Sequence, residues 1–78
     1  MRTPDFTWGD TVHVKVDAPS EFRTGEYGDI VAITEIDTQT KVDLYGVPLG
    51  STVYQIEFGD GEAVEIQETW LDADPNGK

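Results

Sequence analysis

YQIEFGDGEAVEI, residues 54–66, sets two alternating apolar runs on either side of Gly59, Asp60 and Gly61, with several carboxylates around the loop. Asp-Gly is the commonest signal for a two-residue hairpin turn. Register rejects that turn here. With only Asp60 and Gly61 in the loop, Glu57 faces Val64, and one of them must sit on the wrong side of the sheet, because a one-residue slip moves every side chain across it. A three-residue loop, Gly59 to Gly61, sets Ile56 against Val64, Tyr54 against Ile66 and Gln55 against Glu65. The expected geometry is a type I turn with Gly61 left-handed in a bulge. The glycines then serve the backbone, and the carboxylates lie on the solvated face rather than around a ligand.

Three more strands follow by the same logic. Residues 11–16 alternate strictly, with Val12, Val14 and Val16 on one face and Thr11, His13 and Lys15 on the other. Residues 29–36 are β-branched and apolar (Ile30, Val31, Ile33, Ile36), but their alternation is imperfect, as in a strand covered on both faces or strongly bent. A short strand is expected around Leu71. The shared core should hold Val12, Val14, Ile33, Ile56, Val64 and Ile66, with Tyr54 and Phe58 added by register. Trp8 and Trp70 are expected to close the two ends.

Two connections are long. Residues 17–28 are punctuated by Pro19, Gly25 and Gly28. Residues 37–51 span fifteen positions, where about four usually join two strands. A short helical turn is expected inside 37–51. Thr40 with Asp43 resembles a capping box, Val42 and Tyr45 share a face, and Gly46 followed by Pro48 reads as a helix stop.

Seventy-eight residues make one domain, expected to be ordered over about 8–72 with frayed ends at 1–5 and 73–78. Such a chain buries only about 60% of the surface its unfolded form exposes. There is no cysteine, which fits a cytoplasmic protein. Residues 1–5 show no apolar run of a signal sequence, and no window nears the roughly 20 apolar residues that span a bilayer. Sixteen acidic residues face five basic ones, a formal charge of −11. That surface repels phosphate backbones and anionic headgroups and attracts basic partners; it also serves solubility.

WGDTVHVKV at residues 8–16, followed by TGEYGDIVAI at 24–33, resembles the start of SH3-like barrels of the KOW and nitrile hydratase β-subunit kind, in which a G-D-x-V-x-V strand leads through a loop to G-x-x-G-x-I/V. YQIEFGDGEAVEIQETWL at 54–71 resembles the hairpin and closing turn of the same barrels. The resemblance implies an all-β, five-stranded SH3-like barrel. Its members include nucleic-acid binders, enzyme subunits and small bacterial protein-binding proteins, immunity proteins among them, so fold chooses no function. KOW loops that touch RNA are basic; here the equivalent loops offer Glu21, Glu26, Asp29 and Asp37 against Arg23 and Lys41. In nitrile hydratase the metal ligands belong to a different subunit, so the resemblance transfers none.

Other constellations are weak. Asp72 to Gly77 matches D-x-D-x-N-G, the first half of a calcium loop, but lacks the later ligands and the bidentate glutamate. His13 is the sole histidine and sits beside Thr11 and Lys15 on an outer face. Glu57 and Glu65 point outward near a sheet rim, where a charged edge discourages aggregation. No catalytic residue, metal or cofactor is expected. The surviving reading is a non-enzymatic acidic module with a basic protein partner, either an immunity-type inhibitor or a subunit or adaptor. A KOW-like nucleic-acid module is the alternative, and neither nucleic acid nor membrane is the expected partner. The expected contact residues are the loop aromatics Tyr27 and Tyr45 with the acids Glu26, Asp29, Asp37 and Asp43, because tyrosine pairs with arginine by stacking and hydrogen bonding.

Overall fold

The hairpin at residues 59–61 folds as its register requires. The computed structural model describes residues 6–73. In it, strand β3 (Thr52–Phe58) pairs with β4 (Ala63–Gln67), placing Tyr54 opposite Ile66, Gln55 opposite Glu65 and Ile56 opposite Val64. The Phe58 N–H donates to the Glu62 carbonyl and the Gly61 N–H to the Phe58 carbonyl, both at 2.9 Å. Gly61 has φ +88°, the left-handed bulge position.

Around this hairpin lie β1 (Thr11–Val14), β2 (Tyr27–Glu35), helix α1 (Gln39–Tyr45) and β5 (Leu71–Ala73), with single 3-10 turns at Ser20–Phe22 and Glu68–Trp70. The five strands form one antiparallel sheet in the order β4-β3-β2-β1-β5. Among the described residues no ladder joins β4 to β5, so the sheet is open there where a closed barrel was expected. The imperfect alternation of β2 corresponds to a break in its pairing with β3. Its register shifts between Ile30 and Ala32, leaving Val31 spare and exposed while Ile30 stays buried.

Val12, Val14, Ile30, Tyr54, Ile56, Phe58, Ile66 and Leu71 are buried together, and Ile33 and Val64 pack against them half-buried. The expected core is therefore shared. Inside it the Tyr54 hydroxyl donates to Glu68 Oε2 at 2.7 Å and accepts the Phe6 N–H at 3.2 Å, with the Phe6 ring edge-on at 5.5 Å. Buried hydroxyls need such partners.

Several local expectations are corrected. Val16 is 77% exposed, because β1 stops at Val14 and the Ala18 N–H closes a turn onto the Lys15 carbonyl at 3.1 Å, which ends the alternation. Trp8 is 66% exposed and closes nothing, whereas Trp70 does pack against the core. Val53, on the outward face of β3 by alternation, is buried, because residues from α1 and the Ser20–Phe22 turn gather over that face. The helix is capped by Thr38 rather than Thr40: its Oγ1 accepts the Lys41 N–H at 3.2 Å, and Gly46 ends it at φ +71°. Ala73 belongs to β5, opposite Val12, and is no part of a tail. Residues 1–5 and 74–78, including most of the half calcium loop, lie outside the described residues.

Candidate functional site

Of the expected contact residues, Tyr27 and Asp29 line one groove and Tyr45 a second, while Glu26, Asp37 and Asp43 line neither. The first is an open groove of about 290 Å³ lined by Thr11, Tyr27, Gly28, Asp29, Glu57, Phe58 and Gly59. Register builds it: Thr11 lies opposite Asp29, and Asp29 opposite Glu57, so these side chains form a row across three strands. In the adjoining row Tyr27 pairs with His13, their rings 4.7 Å apart. Tyr27 is thus a strand residue, 51% exposed, rather than a loop residue. Thr11 Oγ1 donates to Asp29 Oδ1 at 2.9 Å. Among the described residues no lysine or arginine pairs with Asp29 or Glu57. Like charges set directly opposite on neighbouring strands destabilise the pairing.

The second groove, also about 290 Å³, is lined by Glu21, Phe22, Leu44, Tyr45, Val47, Val53, Glu65 and Gln67. Tyr45 is half-buried here, on the last turn of α1 rather than in a loop. The structure does not place Tyr27 and Tyr45 in one pocket.

The remaining expected acids are occupied within the chain. Asp37 accepts from Lys41 Nζ at 3.0 Å, and that contact holds its carboxyl below the usual range. Asp43 accepts from Gln39 Nε2 at 3.0 Å, one helical turn away. Glu26 accepts from Arg23, whose Nη2 lies 2.7 Å from Glu26 Oε1.

Arg23 is the residue that sequence reading missed. It stands at φ 62°, a left-handed conformation uncommon for a side chain of this kind. Its guanidinium reaches Glu26, Asp60, at 3.0 Å, and Glu62, and lies 4.5 Å above the Phe58 ring centroid. Hydrogen bonds to Glu26 first, then Glu62 and Asp60, hold its proton well above the ordinary arginine range. Asp60 in turn is held below the usual carboxylate range, first by the Glu62 N–H at 3.1 Å and then by Arg23. The carboxylates of the opening hairpin are solvated, as expected, and they also fasten the 17–28 connection to the sheet. The only hint in the sequence is the scarcity of cations, which leaves Arg23 few rivals for so many acids.

Among the described residues no group of three or more histidine or acidic side chains is arranged to hold a metal ion, and no helix is long and apolar enough to cross a membrane. Comparison with protein-family models, curated proteins and solved structures found no match.

Proposed function

We propose that the chain is a non-enzymatic, acidic protein-binding module whose partner is basic, acting as an immunity-type inhibitor or as a subunit or adaptor. The observation that carries this reading is the row Asp29–Glu57 beside exposed Tyr27. Glu26, Asp37, Asp60 and Glu62 have cations within the chain, but these two acids face each other with no lysine or arginine of the described residues paired to them. A lysine or arginine from a partner would relieve that repulsion and lie along the Tyr27 ring, combining charge with cation–π attraction. The overall charge of −11 would steer such a partner in.

The fold we propose for the module is the SH3-like barrel. Its support is the strand order β4-β3-β2-β1-β5, the bulge in β2, and the single 3-10 turn between β4 and β5. Bulges and strong twist are the devices by which a small sheet curls on itself.

The test uses a partner captured with the purified chain, followed by binding kinetics of Glu57→Gln and Tyr27→Ala at low and high salt. Association should slow with salt and with Glu57→Gln, as screening and lost charge both weaken steering. Dissociation should quicken about tenfold or more for Tyr27→Ala if that ring is an anchor. Kinetics that ignore salt and both substitutions would overturn the reading, and capture of RNA in place of protein would favour the KOW-like alternative.

A further inference from the structure

Helix α1 is anomalous as a folded element. It has seven residues, three of them Val42, Leu44 and Tyr45, yet none of its residues is buried, and Leu44 is 75% exposed. Short helices owe their stability mainly to packing of an apolar face. Here that face is only partly used, and what it leaves open is the second groove. Phe22, Tyr45, Val47 and Val53 supply its apolar lining, Leu44 stands at its side, and Glu21 and Glu65 bring the charge. Among the described residues no lysine or arginine lines it.

Resting on the proposal of a basic partner, we infer that this groove is the partner's apolar anchor site, taking an aliphatic or aromatic side chain flanked by lysine or arginine. Charge complementarity selects that occupant. A second copy of the chain would bring a charge of −11 and more carboxylates against Glu21 and Glu65, so self-association is the disfavoured use of the same apolar surface. The position fits one partner engaging both grooves. Val53 lines this groove and Glu57 the first, and they are four residues apart on one face of β3, about 13 Å at the rise of a strand. An extended segment of a few residues would set a cation against Asp29 and Glu57 and an apolar side chain beside Leu44.

The experiment is amide NMR titration of the full chain with two capped peptides at millimolar concentration, Lys-Leu-Leu-Lys and Glu-Leu-Leu-Glu. The lysine peptide should shift amides of residues 21–22, 44–47, 53 and 65–67, and the glutamate peptide should bind at least tenfold more weakly. Leu44→Ser, at an exposed position that leaves the core intact, should weaken the lysine peptide by roughly tenfold while the unliganded spectrum keeps its dispersion. Shifts confined to residues 11–13, 27–29 and 57–59 would overturn the anchor site and leave the basic-partner reading standing. Equal binding of both peptides would overturn the choice of a basic occupant, and no shifts at all would overturn both. Concentration-dependent dimerisation through Leu44, abolished by Leu44→Ser, would assign the surface to a second copy and overturn the inference.

Discussion

A methyl group added at Gly61 meets nothing within 4 Å, while one added at Gly28 falls 2.5 Å from Ile56 Cγ2 and 2.8 Å from the Glu57 carbonyl oxygen. The two glycines are required for different reasons, and the two alanine variants separate them. At Gly61 the cost is conformational, because φ is +88°, so Gly61→Ala should lose about 1 kcal/mol in urea unfolding. At Gly28 the cost is steric and lies in the core between β2 and β3, where backbone must move to admit the methyl. Gly28→Ala should lose more, roughly 1–3 kcal/mol, the usual range for overpacking. Equal losses would mean that the strand relaxes around Gly28. Glu57→Gln makes a third case. It removes one of two opposed carboxylates on an exposed face, so it should stabilise the fold by a few tenths of a kcal/mol while slowing association with a basic partner. A variant that gains stability and loses binding would mark the Asp29–Glu57 pair as kept for recognition.

At the scale of elements, α1 and the 17–28 connection are held by opposite means. The helix is held mainly at its ends, by the Thr38 cap and by Gly46, and none of its own residues is fully buried. Removing the cap with Thr38→Ala normally costs about 1 kcal/mol of helix stability. Here the helix can open without the sheet, so hydrogen exchange at Val42 and Gly46, whose amides close the helix onto Thr38 and Val42, should quicken while the global unfolding midpoint barely moves. The 17–28 connection is instead held by Arg23, through Asp60 and Glu62 of the hairpin and the Phe58 ring. Asp60 has its folded-state pKa lowered, so its unfolded form binds the proton first as acid is added. Its stabilising contribution is full above the ordinary aspartate value near 3.9 and is lost as the pH falls through the lower folded value. The stability difference between the parent and Arg23→Gln should therefore be constant from pH 7 to about 5 and shrink below about pH 4. A difference that persists to pH 2 would show that Arg23 acts through packing on Phe58 and not through the carboxylates.

For the whole molecule, charge acts on fold and recognition with opposite sign. With a net charge of −11 the folded chain repels itself, so raising salt from 0.1 M to 1 M, which cuts the screening length from about 10 Å to about 3 Å, should raise the melting temperature. The same change should weaken a basic partner. Screening of the internal pairs at Arg23 and Lys41 works against the first effect, but these pairs are few beside sixteen acids. A melting temperature that falls with salt would show that the internal pairs outweigh the self-repulsion.

Alternation and turn chemistry act over a few residues, and whatever depends on them could be read from the chain alone. The hairpin register, Gly61 in its bulge and the core of Val12, Val14, Ile56 and Ile66 all follow from local pattern, since a slip by one residue would turn the core outward. What depends on distant residues could not be read that way. The reach of Arg23 to Asp60 crosses 37 positions and is created by the packing of the connection over Phe58. The burial of Val53 depends on what lies over its face of the sheet, and the exposure of Val16 on a turn that local alternation does not reveal. The division of Tyr27 and Tyr45 between two grooves is of the same kind, because side chains meet through strand order, which local pattern leaves open. Among the expected acids, only the tertiary structure separated Glu26 and Asp37, which have an internal cation, from Asp29, and set Glu57, not an expected contact, opposite it, because pairing is a matter of distance in space and not of position along the chain.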